Sequence, residues 1–174
     1  MKKLFTLLAL TITFSMNAQM SDNSANNNTA GSYAVAMGYL TTASGDGSTA
    51  MGQSTIASGS RSIAMGQSTT ASGSRSIAMG FNTTASGDGS TAMGQITTAS
   101  GYSSTAMGYY TLASGDGSTA MGISTRASDY ASVVIGQYNS SGYSATSVSS
   151  FSTSAPAFVI GNGADSSNKS DAFK

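Results

Sequence analysis

The residues of this chain that could do chemistry are few, and they recur at fixed intervals. Asp-Gly pairs stand at Asp46-Gly47, Asp88-Gly89 and Asp116-Gly117. Such pairs suggest calcium, but repeat-type calcium rolls need Gly-Gly-x-Gly-x-Asp, with carboxylates close enough to share an ion. One aspartate in an occasional turn reads instead as turn chemistry. The run Gly45-Asp46-Gly47-Ser48-Thr49-Ala50 fits the dinucleotide pattern G-x-G-x-x-A and recurs at 87–92 and 115–120. A working fingerprint has a hydrophobic strand before it and a helix after it. Here Met51-Gly52 follows, part of a regular repeat, so no nucleotide site is expected. The chain holds no Cys and no His, which removes thiolate chemistry and the commonest general base. Neither a Ser-His-Asp triad nor a paired-carboxylate arrangement is available. Catalysis, cofactors and metals are therefore not expected. Seven basic residues balance seven acidic ones, and only 8% of the chain is charged, which leaves no electrostatic footprint for nucleic acid.

The remaining candidates are aromatic. Tyr39, Phe81, Tyr102, Tyr109, Tyr110 and Tyr130 fall at turn or near-turn positions. One reading packs them across a lateral interface or over the sheet faces. The other makes them a ligand-contact surface, since Tyr offers large area at small entropic cost.

What must position these residues is a lattice of glycines. Glycine occupies every seventh position from Gly31 to Gly136 but one. The turn glycines are Gly38, Gly45, Gly52, Gly59, Gly66, Gly73, Gly80, Gly87, Gly94, Gly101, Gly108, Gly115, Gly122 and Gly136. The exception, Asp129, is a residue type that tolerates a left-handed backbone. A helix does not carry glycine at that density, and a disordered Ser/Gly linker does not keep such a register. Regularly spaced chain reversals do, and they predict a stack of short β-coils.

The unit is 14 residues with two related halves, Ala-Met-Gly and Ala-Ser-Gly, as in Ser62–Arg75. Each half is expected to give one strand of about four or five residues and one turn. Period-2 alternation puts Ile63 and Met65 on one face with Ala64 opposite, and Thr69 with Ala71 opposite Thr70. The ladder from Thr41 to Thr125 and its companion from Ala43 to Ala127 do not vary between units. Both are placed inward, and the variable position of Thr70 outward. The constant methionines from Met37 to Met121 are placed inward or in an interface. So thin a coil has little interior, which predicts lateral association of identical rods, with small positions such as Ala64 letting backbones approach.

Around the roll, residues 1–18 read as a signal peptide: Lys2 and Lys3, an apolar run from Leu4 to Phe14, and a small residue at Ala18. That run is too short to span a bilayer. Residues 19–30 read as a flexible polar lead-in, 31–136 as the roll, and 137–174 as a cap and loop that begins a following module. The abrupt stop after Asp171-Ala172-Phe173 favours a fragment of a longer reading frame.

The repeated Ser-Ile-Ala-Met-Gly-x-x-Thr-x-Ala-x-Gly resembles the 14-residue head repeats of trimeric autotransporter adhesins of the YadA type. The resemblance implies an all-β, left-handed parallel β-roll, a homotrimer, display at the cell surface or outer membrane, and adhesion to an extracellular protein or glycan. The tail around Pro156–Gly163 resembles segments that follow such heads in exported Bacteroidota proteins, commonly leading to a stalk and an intramolecular chaperone. On an exported bacterial chain the N-x-S/T triplets at Asn27, Asn82, Asn139 and Asn168 mean little. Two other readings stand beside adhesion. The threonine ladder suggests an ice-binding β-solenoid, although Ala71 replaces the second threonine that an ice-binding Thr-x-Thr array needs. The rod could also be a spacer in a longer fibre.

Overall fold

The computed structural model describes residues 27–142 and 144–174, so the signal-peptide assignment lies outside the described residues. The described chain winds as a parallel β-solenoid of 14-residue coils. Each coil contributes a long and a short strand. The long strands are β2 (Val35–Tyr39), β4 (Thr49–Gln53), β6 (Ile63–Gln67), β8 (Ile77–Phe81), β10 (Thr91–Gln95), β12 (Thr105–Tyr109), β14 (Thr119–Ile123), β16 (Val133–Gln137) and β17 (Phe158–Asn162). The short strands are β1 (Asn28–Thr29), β3 (Thr42–Ala43), β5 (Ile56–Ala57), β7 (Thr70–Ala71), β9 (Thr84–Ala85), β11 (Thr98–Ala99), β13 (Leu112–Ala113) and β15 (Arg126–Ala127). They form a 10-stranded and an 8-stranded sheet. Pairing is parallel and in register, Ala64 against Ala78 and Met65 against Met79, until β18 (Asp171–Phe173) closes the long sheet antiparallel to β17. At the usual strand spacing the stack is about 40 Å long.

The two halves are therefore unequal, five residues against two, where sequence periodicity suggested similar strands. The difference lies in the turns. After Gly66 the chain turns through Ser68, which has φ 55°, before it reaches Thr69. Amides in these turns still bond from coil to coil, as Ser68 N–H does to Gln53 C=O at 2.8 Å. At the ends, β1 lies within residues 19–30, and the long sheet runs on beyond Gly136 through β17.

Four small side chains fill each coil. In the coil that begins at Ser62 they are Ser62, Ala64, Thr69 and Ala71, all fully buried. The inward placement of Thr69 and Ala71 holds. Ala64 faces this core rather than a neighbouring rod, and Met65 beside it faces outward and is half-buried. Through most of the roll the core is lined by these small residues alone. Only toward the C-terminal end do Val134 and Val159 take over the alanine column.

The lattice glycines let successive coils stack closely, in two ways. A Cβ on Gly66 would fall on the carbonyl oxygen of Gly80, and its φ of +123° is one that L residues rarely adopt. Gly73 has no positive φ, yet its Cβ would meet the carbonyl oxygen of Gly87 in the same way. Asp129 does not escape the lattice through a left-handed backbone, since it too lacks a positive φ. It stands in the last coil of its column, and its Oδ1 accepts hydrogen bonds from Thr146 N and from Ser147 N at 2.8 Å. A carboxylate there replaces the coil that would otherwise follow.

Asparagine side chains standing in the threonine column complete backbone hydrogen bonding in the first and last turns of the roll. Asn27 Oδ1 accepts from Thr41 N at 3.1 Å, and Asn27 Nδ2 donates to Gly38 O at 2.8 Å. At the other end the buried Asn139 accepts from Arg126 N at 2.8 Å and donates to Arg126 O at 3.0 Å. At the C-terminal end the Asn139 amide stands in for the peptide of a further strand beside β15. At the C-terminal end, Asp171 holds the loop after Asn139, accepting from Ser140 N, Ser140 Oγ and Ser141 N at 2.8–2.9 Å. Partial burial opposes its ionisation, but the hydrogen bonds from Ser141 and Ser140 prevail and hold its carboxyl below the usual value.

Candidate interaction surfaces

The roll presents two outer faces and two turn edges. The outer face of the long sheet carries two columns of side chains. One runs Met37, Met51, Met65, Met79, Met93, Met107, Met121, then Ile135 and Ile160. Its companion runs Val35, Thr49, Ile63, Ile77, Thr91, Thr105, Thr119, Val133 and Phe158. Neither column contains a charge. Methionines of adjacent coils pair in register from Met37 to Met121, and the column is half-buried within one chain. The expectation that the methionines are inward or in an interface thus resolves to the outside of the single roll.

The six aromatic candidates are all exposed, from 41% at Tyr109 to 58% at Tyr102. They do not form one patch. Tyr39, Phe81 and Tyr109 end their long strands in a single column, with glutamines at Gln53, Gln67 and Gln95 between them. Tyr110 adjoins Tyr109, ring centroids 4.8 Å apart and edge to face. Tyr102 and Tyr130 belong to the turns on the opposite edge. Exposure fits a contact surface, but a ligand touching all six would have to wrap the rod.

The aspartates of the Asp-Gly turns bind their own backbone. Asp46, Asp88 and Asp116 each accept, through Oδ1, the amide of the residue one coil earlier: Ser32, Ser74 and Tyr102, at 3.0, 2.9 and 2.8 Å. Intervening coils separate them. Among the described residues no cluster of three His, Cys, Asp or Glu side chains could hold a metal ion. The G-x-G-x-x-A runs lead into β4, β10 and β14 rather than into helices.

Sequence reasoning missed the second buried hydroxyl column, Ser48, Ser62, Ser76, Ser90, Ser104 and Ser118. The signal was present, because serine recurs there in every coil but the first, where Ala34 stands. Like the threonines opposite, these hydroxyls have no hydrogen-bond partner among the described residues. They line the core and carry no surface chemistry. No described helix is long and apolar enough to cross a membrane, which says nothing of strands.

The chain is similar to one known family. The sequence model described as YadA head domain repeat matches residues 30–55, 57–83, 85–111 and 113–139, each match spanning two coils. No curated protein matches the chain.

Proposed function

This chain belongs to the YadA head domain repeat family, an adhesin-type structural domain, and from that membership we propose that it is the head of an exported adhesin. In this reading it acts at the cell surface or outside the cell. It attaches to an extracellular protein or glycan without catalysis, and it works as a homotrimer. The observation that carries the reading is the uncharged Met/Ile/Val/Thr face of the long sheet, unpaired in a single chain whose core holds only small side chains. Apolar faces of that extent mark interfaces, and a repeating face is matched most simply by copies of itself. Self-association through the methionines leaves the short sheet and both turn edges outside, where the exposed aromatics lie. The ice-binding reading has less support, because the invariant threonine ladder is buried.

Adhesion is tested with beads coated in the purified chain, applied to immobilised matrix proteins and to a glycan array. Retention above uncoated beads, competed away by soluble chain, is the expected result. Retention equal to uncoated beads on every surface would contradict an adhesin.

A further inference from the structure

The two turn edges of the roll differ in charge. The turns that follow Ala-Ser-Gly hold Asp46, Arg61, Arg75, Asp88 and Asp116. The turns that follow Ala-Met-Gly hold no charge in any coil from Tyr39 to Tyr138. Where those uncharged turns begin, one column reads Tyr39, Gln53, Gln67, Phe81, Gln95, Tyr109, each residue paired in register with the next. All six side chains are exposed. Tyr110 packs edge to face on Tyr109, ring centroids 4.8 Å apart, and steadies that ring.

We propose that this edge binds a neutral β-1,4-linked polysaccharide lying along the axis of the roll. Tyr39, Phe81 and Tyr109 stack on sugar rings, and the glutamines between them hydrogen-bond the hydroxyls. This rests on the adhesin reading and names a ligand class for it. The two periods agree. Coils are about 4.8 Å apart and one ring of an extended β-1,4-linked chain advances about 5.2 Å, so the mismatch over five coils is about 2 Å, less than half a ring. Phe81 and Tyr109 are two coils apart, about 10 Å, which is one disaccharide. Tyr39 lies three coils from Phe81, about 14 Å, close to three rings. The chemistry agrees as well. A sugar with equatorial substituents has apolar C–H faces above and below the ring and hydroxyls around its rim. Flat aromatic side chains match the faces, and a glutamine amide donates to one hydroxyl while accepting from another. Charge points the same way. A neutral ligand needs no ion partner, and a fixed charge beside it would be desolvated without being paired. An acidic polysaccharide meets no cation in this column, and an α-1,4-linked chain coils away from a straight one. Self-association through the methionine face leaves this edge open on every copy, and several edges per assembly would hold a polymer with avidity.

The test is calorimetry of the purified chain with cellohexaose, with chitohexaose, with their disaccharides and with maltohexaose. At least one β-linked hexasaccharide should bind, and which one does separates a glucose chain from an N-acetylglucosamine chain. Maltohexaose and the disaccharides should bind at least about tenfold more weakly. Phe81→Gln with Tyr109→Gln introduces the residue already present at Gln53, Gln67 and Gln95. The melting curve should therefore stay unchanged while hexasaccharide binding falls at least about tenfold. Phe81→Gln alone should weaken binding too, and it serves where the double variant melts early. Arg75→Ser, on the opposite edge, should bind as the wild type does. Equal binding of α- and β-linked hexasaccharides, wild-type binding by the glutamine variants, an equal loss in Arg75→Ser, or no binding of either β-linked hexasaccharide would each overturn the proposal. Bead adhesion is measured alongside. Adhesion that persists without binding of a β-linked hexasaccharide removes the glycan edge and keeps the adhesin, whereas loss of adhesion on every surface removes the adhesin reading itself.

Discussion

At Gly66 a side chain would need the space already held by the carbonyl oxygen of Gly80, on a backbone with φ +123°. Gly66→Ala is therefore expected to cost about 3 kcal/mol from overpacking and backbone strain together. Gly73→Ala meets the same obstruction without the unusual φ and should cost about 2 kcal/mol. Gly47 differs: its φ is +65°, but the nearest atom to an added Cβ is Arg61 Cγ at 3.7 Å. Arg61, Arg75, Ser103 and Ala131 already adopt positive φ in that column. Gly47→Ala should cost only about 1 kcal/mol. Thermal melts of the three variants check the order, and equal losses would contradict the close-approach account. The buried serines make the opposite case. Ser76 Oγ has no partner among the described residues, and Ala34 already fills the same column in the first coil. Burying an unpaired hydroxyl is costly, so Ser76→Ala should be neutral or stabilising by up to about 1 kcal/mol. A loss above that in denaturant titration would mean that the hydroxyl is satisfied in solution.

The strands owe their lengths to the turns between them, and their ends to side chains that imitate strands. Asn139 stands in the column occupied by Thr125 one coil earlier, yet its amide turns onto Arg126 to complete the edge of β15. Asn139→Ala would strand the Arg126 amide and carbonyl at a buried edge, a loss of about 2 kcal/mol or more. It would also open that edge to pairing with another rod. Lower melting with concentration-dependent light scattering is the expected outcome, and an unchanged melt would contradict the cap. These particulars show why the fold was legible in the sequence and its terminations were not. The coil repeats because each residue must fit an identical residue above and below, so Thr69, Ala71 and Gly73 announce themselves by not varying. A cap happens once. Asn27 and Asn139 looked like glycosylation triplets, and Asp129 like a tolerated left-handed residue, because neither has a copy to be compared with. The inequality of the two strands was hidden for another reason. Ser68, at φ 55°, is a turn residue that no residue type requires. The face of the long sheet was legible only in part: alternation separates Ala64 from Met65 but does not say which of them meets the core. Side-chain volume decides it, since a core lined by small residues admits alanine and excludes methionine.

At the scale of the molecule, a roll with alanine, serine and threonine inside gains little from its own interior, and its largest uniform apolar surface faces outward. We propose that other copies of the chain bury this surface. Charge placed in the middle of the methionine column should be incompatible with such burial, because an unpaired buried carboxylate costs several kcal/mol. Met79→Glu with Met107→Glu should therefore dissociate the assembly or unfold it. An exposed Ile56→Glu on the other sheet should do neither, which excludes a general effect of charge. Salt should have little influence on the wild-type assembly, since the interface columns carry no ions. The most direct measurement is the mass of the purified chain in solution by sedimentation equilibrium, taken together with its melting behaviour. A stable trimer whose cooperative unfolding is coupled to dissociation, and which is lost in the methionine double variant, is the result expected. A well-folded monomer that melts cooperatively by itself would contradict the account.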